Sequence, residues 1–438
     1  MRGAGTVPSA EALLAGVDLP DGAPLAVAVS GGPDSMALLH LAAEHGRQTG
    51  REVTALTVDH GIRPEAAEEA LQVAAWCAAL GVPHYILASD APAPAADIQA
   101  WARRLRYRLM GAWCRERGVA ALLVAHSRDD QAETFLLRLG RGSGVDGLAS
   151  MARDVTREGL RILRPLLATS REDLRVFLAE RGQDFIQDPS NDDTHHARVR
   201  MRRLMPALAA EGMTAARLAE TAGRLAIARD ALDGWMRAHV KANVRFFGTG
   251  HAVMDRAAFC DVPEDIGLRA LAALVRGVGG GVYRPRLAHT TSLLARLREA
   301  GFKGATLGGL RFQARGAEVL VCREGRALAG PAGTRDGRFD WDGRFSVSVD
   351  DAAAADSLHV AALGAANWRD IRHQPGIPQL PAMVGGSLPA LYREGELVDI
   401  PGFFQPDEAG ALSARALFVA PARAGLAAGP IATGQAKP

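Results

Sequence analysis

Six consecutive residues, Ser30-Gly31-Gly32-Pro33-Asp34-Ser35, assemble what a bound polyphosphate needs. Two glycines let the backbone approach an anion closely. A helix opening directly behind them offers unpaired N–H groups and the positive end of its dipole. Ser30 and Ser35 add hydroxyl donors, and Asp34 has the chemistry to hold a magnesium ion directly or through water. The Walker arrangement is excluded, because no G-K-[ST] follows at the required spacing. A second group is acidic: Asp129, Asp130 and Glu133. Asp130 and Glu133 are three apart on an expected helix and share a face, so together they suit an ammonium group or a metal. The bland alternative is a solvated acidic helix start favoured by the dipole. His60 and His126 stand at the ends of apolar runs, where a histidine is either working or merely satisfied in the core. Arg103 and Arg106, also three apart, can face one polyphosphate from a single helix.

These residues need a scaffold that brings them together. Leu25–Val29, Val53–Val58, Tyr85–Leu87 and Ala121–Ala125 read as short buried strands. Between them lie helical stretches: Asp34–His45, stopped at Gly46; Pro64–Leu80, with Pro64 in its first turn and Gly81 at its end; and Asp97–Arg117. Asp129–Leu139 follows, stopped by Gly140 and Gly142. Strands alternating with helices predict a doubly wound parallel sheet, with its ligand crevice at the carboxyl ends of the strands. Both chemical groups would sit at that edge. Ser170-Arg171-Glu172-Asp173 reads as a capped helix start running to Arg181, Asp188–Thr194 as loop, and Thr214–Ala238 and Ala257–Arg276 as helices. From Gly308 the texture turns to β, as in Glu318–Cys322 and Phe345–Val349. Glu324–Gly337 and Arg372–Gly386 read as linkers, and Leu426–Pro438 as a frayed end. His195 and His196 are loop residues without a matched partner, and no repeat of fixed period is present.

The 438 residues, 48% hydrophobic and 23% charged, exclude a mainly disordered chain and allow two or three domains. No apolar run is long enough to span a membrane. Met1 to Ala15 does not read as a signal peptide, so a cytoplasmic protein is expected. Cys77, Cys114, Cys260 and Cys322 form no C-x-x-C pair, which argues against a zinc ribbon or a dithiol motif. The net charge of +2 says little, but nearly all the positive charge is Arg, since only Lys241, Lys303 and Lys437 are lysines.

The hexapeptide resembles the S-G-G-x-D-S loop of the N-type ATP pyrophosphatases (PP-loop enzymes), which split ATP into AMP and pyrophosphate while adenylating a substrate. Further strings, in order, resemble one of their families, tRNA(Ile)-lysidine synthetase. They are Leu56-Thr57-Val58-Asp59-His60-Gly61-Ile62-Arg63, Gln99 with Ala102-Arg103-Arg104-Leu105-Arg106-Tyr107, and Ala125-His126-Ser127-Arg128-Asp129-Asp130-Gln131-Ala132-Glu133-Thr134. Leu136 to Gly144, Arg164-Pro165-Leu166-Leu167 and Asp188-Pro189-Ser190-Asn191 complete the set, and the match covers about residues 24–205. Tyr283-Arg284-Pro285-Arg286 and Trp341-Asp342-Gly343-Arg344 are similar to C-terminal elements of the family. Val199 stands where an Asn is expected in Arg198-Val199-Arg200-Met201-Arg202.

The resemblance implies an α/β fold with an N-type ATP pyrophosphatase-like parallel sheet, then a helical region and a smaller α+β C-terminal domain. The implied domains are 1–212 (catalytic), 213–325 (mainly helical, tRNA-binding) and 338–425 (β-rich, tRNA-binding). It implies ATP and Mg2+ as cofactors, with ATP bound by Ser30, Gly31, Gly32, Pro33, Asp34, Ser35, Thr57 and His60, and metal by Asp34. Asp34, Arg103, His126, Asp130 and Glu133 would be catalytic, Asp130 and Glu133 would recognise lysine, and Arg198 and Arg202 would touch tRNA. The implied reaction joins free L-lysine to carbon two of the wobble cytidine of the CAU-anticodon isoleucine tRNA, through an adenylated cytidine. A homodimer is implied, though one sequence fixes no interface. Three rivals share the fold. A tRNA thiolase would usually need a cysteine pair or an iron–sulfur cluster, for which Cys77 and Cys114 are poorly placed. A small-molecule synthetase would usually need an ammonia source, and no glutaminase motif is evident. A non-catalytic binding protein would not need the acid set Asp34, Asp130 and Glu133.

Overall fold

The computed structural model describes residues 7–426 except 62–64, 90–93, 95–96, 158, 188–194, 196, 282, 335, 352–354, 375–376 and 403–413. Pro64, Ile62 and Arg63, the Asp188–Asn191 loop, His196 and the end of the tail therefore lie outside the described residues. The chain divides into two compact units, residues 1–229 and 230–438.

The first unit is built on six strands: β1 (Leu25–Ala28), β2 (Val53–Asp59), β3 (His84–Ala88), β4 (Ala121–Leu123), β5 (Asp154–Arg157) and β6 (Leu160–Leu163). Their order is β3-β2-β1-β4-β6-β5. All neighbours run parallel except the edge hairpin of β5 and β6, which the sequence reading did not single out. The central strands β1 and β4 are short and wholly apolar because helices cover both faces, whereas the edge strand β5 is largely exposed. Neighbouring residues of β1 point to opposite sides. Val27 joins Leu38, Leu41, Leu123 and Leu178 in one core, and Ala26 joins Leu56, Met110, Trp113 and Leu122 in the other. The chain builds outward from β1 to β3, then returns to the far side of β1 with β4. That reversal leaves a crevice at the carboxyl ends of β1 and β4.

Helices α1 (Pro33–Thr49), α2 (Glu65–Ala79), α3 (Ile98–Glu116) and α4 (Arg128–Leu139) follow strands β1 to β4 in turn. Helix α1 does not stop at Gly46 as its sequence suggests. It runs on to Gly50, whose φ of 68° gives the left-handed cap. Gly46 is instead a packing residue: a Cβ there would lie 2.8 Å from the carbonyl oxygen of Arg51 and from Val53. The unit continues through α5 (Val145–Leu148), α6 (Arg171–Ala179) and α7 (Ala197–Ala210), and α8 (Ala215–Asn243) runs on past its boundary.

In the second unit, β7 (Val244–Phe247), β8 (His251–Asp255), β9 (Gly304–Leu307), β10 (Leu310–Arg315) and β11 (Glu318–Arg323) form an antiparallel sheet in the order β7-β8-β11-β10-β9. Strand structure therefore starts well before Gly308. The expected helix over Ala257–Arg276 is two helices, α9 (Arg256–Cys260) and α10 (Glu264–Gly279). Pro263, lacking an N–H, stands at the break. Helix α11 (Leu287–Arg298) and α10 pack on the sheet through Leu271, Leu274, Leu294 and Phe312. Two smaller sheets follow, of four and three strands. Arg372–Gly386 is not a free linker: it contains the helical turn Ala382–Gly385, and Val384 is fully buried. Glu324–Gly337 likewise contributes the two-residue strand Ala332–Gly333. Among the described residues, no helix is long and apolar enough to cross a membrane.

Candidate active site

Four parallel strands each deliver one functional segment at the same sheet edge. Ser30–Ser35 follows β1, Asp59 and His60 end β2, His126 and α4 follow β4, and Arg164 to Arg171 follow β6. In the first of these, Gly31 has a φ of 81°, and its carbonyl accepts the N–H of Ile186 at 2.9 Å. Gly32 is the N-cap of α1 and Pro33 its first residue, where the missing N–H costs nothing. The Ser35 hydroxyl donates to the Gly32 carbonyl at 2.9 Å and accepts the backbone N–H of Ser30 at 3.2 Å. The turn is thus closed by its own second serine.

Asp34 stands in the first turn of α1 with Oδ2 3.5 Å from Arg171 Nε. Its Oδ1 is buried without a hydrogen-bond partner among the described residues. Burial, opposed by Arg171 and reinforced by Asp130 and Asp129, pushes its pKa up to about 6. A buried carboxylate with one unpartnered oxygen among the described residues, beside a helix N-terminus, fits a magnesium ion held mainly by phosphates and water. Among the described residues, no group of three or more His, Cys, Asp and Glu side chains forms a metal site by itself.

Two acids of α4 are buried, not solvated, Asp130 at 7% exposed and Glu133 at 1%, while Asp129 is half-buried. Asp130 Oδ2 accepts both the N–H and the hydroxyl of Ser127, at 2.9 and 3.0 Å. Its Oδ1 accepts Arg171 Nη2 at 2.6 Å. Burial alone would raise the Asp130 pKa, but Arg171, His126 and the Ser127 N–H together hold it below its ordinary value. Glu133 Oε1 accepts Arg171 Nη1 at 2.6 Å and Arg202 Nε at 3.1 Å. Asp129 Oδ2 accepts the backbone N–H of Arg171 at 2.9 Å. The phosphate turn and the acid helix are therefore joined through one guanidinium.

His126 is neutral over the physiological range, since burial, set against Asp130 and assisted by Arg164, Arg198 and Arg103, lowers its pKa to about 4. Arg164 Nε donates to His126 Nδ1 at 3.2 Å, which leaves the ring proton on Nε2. Arg164 is itself 3% exposed and also donates to the carbonyl of Ala152 at 2.8 Å. Arg103 lies exposed on α3, its guanidinium 5.3 Å from the centre of the Tyr107 ring. Arg106 Nη2 is 3.3 Å from His60 Nε2, while His60 Nδ1 is buried with no hydrogen-bond partner among the described residues. Burial and Arg106, opposed by Asp59, lower the His60 pKa. Thr57 faces inward: its hydroxyl donates to the carbonyl of Val29 at 2.9 Å and lies 2.8 Å from His84 Nε2. From there it steadies the strand end that leads into Ser30.

Residues 10–208 match the PP-loop domain family. The tRNA(Ile)-lysidine synthase of Ruegeria pomeroyi is 39% identical over 324 residues, covering 73% of this chain and 75% of that protein. That of Methylobacterium nodulans is 42% identical over 314 residues, 69% of this chain and 91% of the relative. That of Wolbachia pipientis wMel is 35% identical over 330 residues, 74% and 77% of the two chains. The chain belongs to the tRNA(Ile)-lysidine synthase family.

For a lysidine synthase, the placing of Arg198 and Arg202 is informative. Both project from α7 towards the acids: Arg202 reaches Glu133, and Arg198 Nη1 lies 3.8 Å from Asp130 Oδ1. Each keeps about two fifths of its side chain exposed, at 42% and 41%. Val199, at the family's Asn position, is buried beside them. Arg171 and Arg164 were not singled out by residue chemistry in the sequence. Arg171 did carry a signal. It is the first residue of α6, behind a Ser170–Asp173 capping box, where the helix dipole disfavours a cation. An arginine there needs acids from elsewhere.

Proposed function

We propose that this chain uses ATP to join L-lysine to carbon two of the wobble cytidine in an isoleucine tRNA with a CAU anticodon. The observation that carries the reading is the sharing of Arg171 between Asp34 of the phosphate turn and the buried pair Asp130 and Glu133. ATP chemistry and a cation-binding site adjoin within a few ångströms.

The Ser30–Ser35 turn and the N-terminus of α1 hold the ATP phosphates, with Asp34 as the carboxylate that would hold Mg2+. Bound there, the ion neutralises phosphate charge. The O2 oxygen of the cytosine attacks the α-phosphorus, and the bond to the pyrophosphate oxygen breaks. Arg103, on the open face of α3, meets the charge that grows on the phosphoryl oxygens. His126, neutral with its proton on Nε2, serves this step as a hydrogen-bond donor and not as a base. Asp130 and Glu133 hold the lysine side-chain nitrogen, which loses a proton and attacks carbon two, and AMP departs with the former O2. An unpaired anticodon base is accessible at low cost. Residues 213–325 and 338–425 supply tRNA contacts in this reading, and Arg198 and Arg202 meet RNA with their exposed ends.

The test is transfer of radiolabelled lysine by the purified protein with ATP and magnesium, using the CAU-anticodon isoleucine tRNA and methionine tRNA as control. Label in the isoleucine tRNA alone, lost in Asp34→Ala, is the expected result. Pyrophosphate release with a different acceptor and no lysine transfer would retain the ATP chemistry and discard the rest.

A further inference from the structure

Arg171 sits where the proposed lysine would sit. Its Nη1 and Nη2 lie 2.6 Å from Glu133 Oε1 and Asp130 Oδ1 respectively. Those are full charge-assisted hydrogen bonds on the oxygens an ammonium group would need. The guanidinium fills the position that bridges the two acids, so a lysine ammonium reaches both together only as it leaves.

The surroundings give the guanidinium somewhere to go. Its backbone is pinned by the bond from its N–H to Asp129 and by the Ser170–Asp173 capping box, while the side chain is a long flexible stem. Its third contact, Nε to Asp34 Oδ2 at 3.5 Å, already points it at the phosphate turn. Guanidinium groups bind phosphate oxygens in a bidentate manner, so polyphosphate on that turn is a competing partner within a side-chain swing. The acids are not stranded by such a move, because Arg202 stays on Glu133 and Arg198 stays near Asp130.

We infer that Arg171 closes the lysine site in the nucleotide-free protein and opens it by moving to the phosphates when ATP binds, so that nucleotide loading precedes lysine binding. The inference rests on Asp130 and Glu133 being the lysine acids.

Calorimetric titration of L-lysine into the whole protein tests it, with and without magnesium and the non-hydrolysable analogue α,β-methylene-ATP. Lysine is expected to bind the wild type at least about tenfold more tightly with the analogue, an ordinary size for coupled sites. In Arg171→Gln the nucleotide-free protein should gain lysine affinity and the analogue should add little. Where that variant does not fold, Arg171→Lys, whose compact ammonium reaches fewer of the three acids, should narrow the gap. Equal affinity in the wild type under both conditions, no lysine binding in either, or weaker binding in Arg171→Gln with and without the analogue overturns the inference. Glu133→Gln separates the two levels. Lysine binding unchanged in that variant sinks the reading of the acids and the gate with it. Lysine binding lost in it, with a flat nucleotide response in the wild type, sinks the gate alone.

Discussion

Arg164 Nε donates a 3.2 Å hydrogen bond to Nδ1 of His126, and that bond fixes the tautomer of an imidazole that burial keeps neutral. A histidine held neutral down to about pH 4 in the folded protein takes up its proton sooner when unfolded, near 6.5. The unfolded state therefore binds more protons between those values, and the stability contributed by a neutral His126 is lost as pH falls through that window. Replacing His126 by Gln should flatten the decline in melting temperature between pH 7 and pH 4.5. A variant as acid-sensitive as the wild type would show that its buried site does not hold the ring neutral.

Asp34 shifts the opposite way, with a folded pKa of about 6. A metal ion must displace any proton it carries. Magnesium–nucleotide binding should therefore release about half a proton per site at pH 6 and almost none at pH 8. Calorimetry in buffers of different ionisation enthalpy reads this directly. Asp34→Asn should abolish the release, and a release that persists in that variant would place the titrating group elsewhere.

The phosphate turn and the acid helix were legible because each is local. A hexapeptide and an i, i+3 pair state their geometry in the sequence itself. The guanidiniums that govern them were not. Arg171 meets Glu133 and Asp130 across 38 and 41 residues of chain, and Arg164 meets His126 across 38. Such pairings follow only from the order of β1, β4 and β6 in the sheet. The same holds for Gly46, which looks like a helix stop until the approach of Arg51 and Val53 is known. In the second unit, β7 is interrupted by Arg245 and β8 is bounded by His251 and Asp255, so neither shows the continuous apolar run that marks β1 and β4.

The two glycines of the turn should respond differently to alanine. Gly31 has a φ of 81°, and a Cβ there would lie 2.3 Å from Ile186 Cδ1. Gly32 has an ordinary φ of −72°, and its nearest neighbour would be Ser30 Oγ at 3.8 Å. Gly31→Ala should cost at least about 1–2 kcal/mol of stability from the left-handed backbone alone. Gly32→Ala should melt within about 0.5 kcal/mol of the wild type. Loss in Gly32→Ala would then be confined to nucleotide affinity. Equal melting of the two variants would contradict the turn geometry.

Glu133 is the most deeply buried acid of the site, and its Oε1 carries bonds from both Arg171 and Arg202. Truncation to Ala would leave a void and two guanidiniums short of a partner, so it confounds stability with function. Glu133→Gln retains the volume and one acceptor oxygen and removes only the charge. Charge-assisted hydrogen bonds are worth about 1.5–3 kcal/mol, so lysine KM in the transfer assay should rise by roughly tenfold or more. Asp130→Asn should act alike, with an added loss of helix stability because Asp130 Oδ2 also caps α4 through Ser127. ATP affinity, measured separately by titration with the non-hydrolysable analogue, should not fall in Glu133→Gln, since Glu133 reaches the phosphate turn only through Arg171, which the loss of charge frees for phosphate. A collapse of nucleotide binding with lysine KM unchanged would reverse the roles assigned to the two ends of that guanidinium.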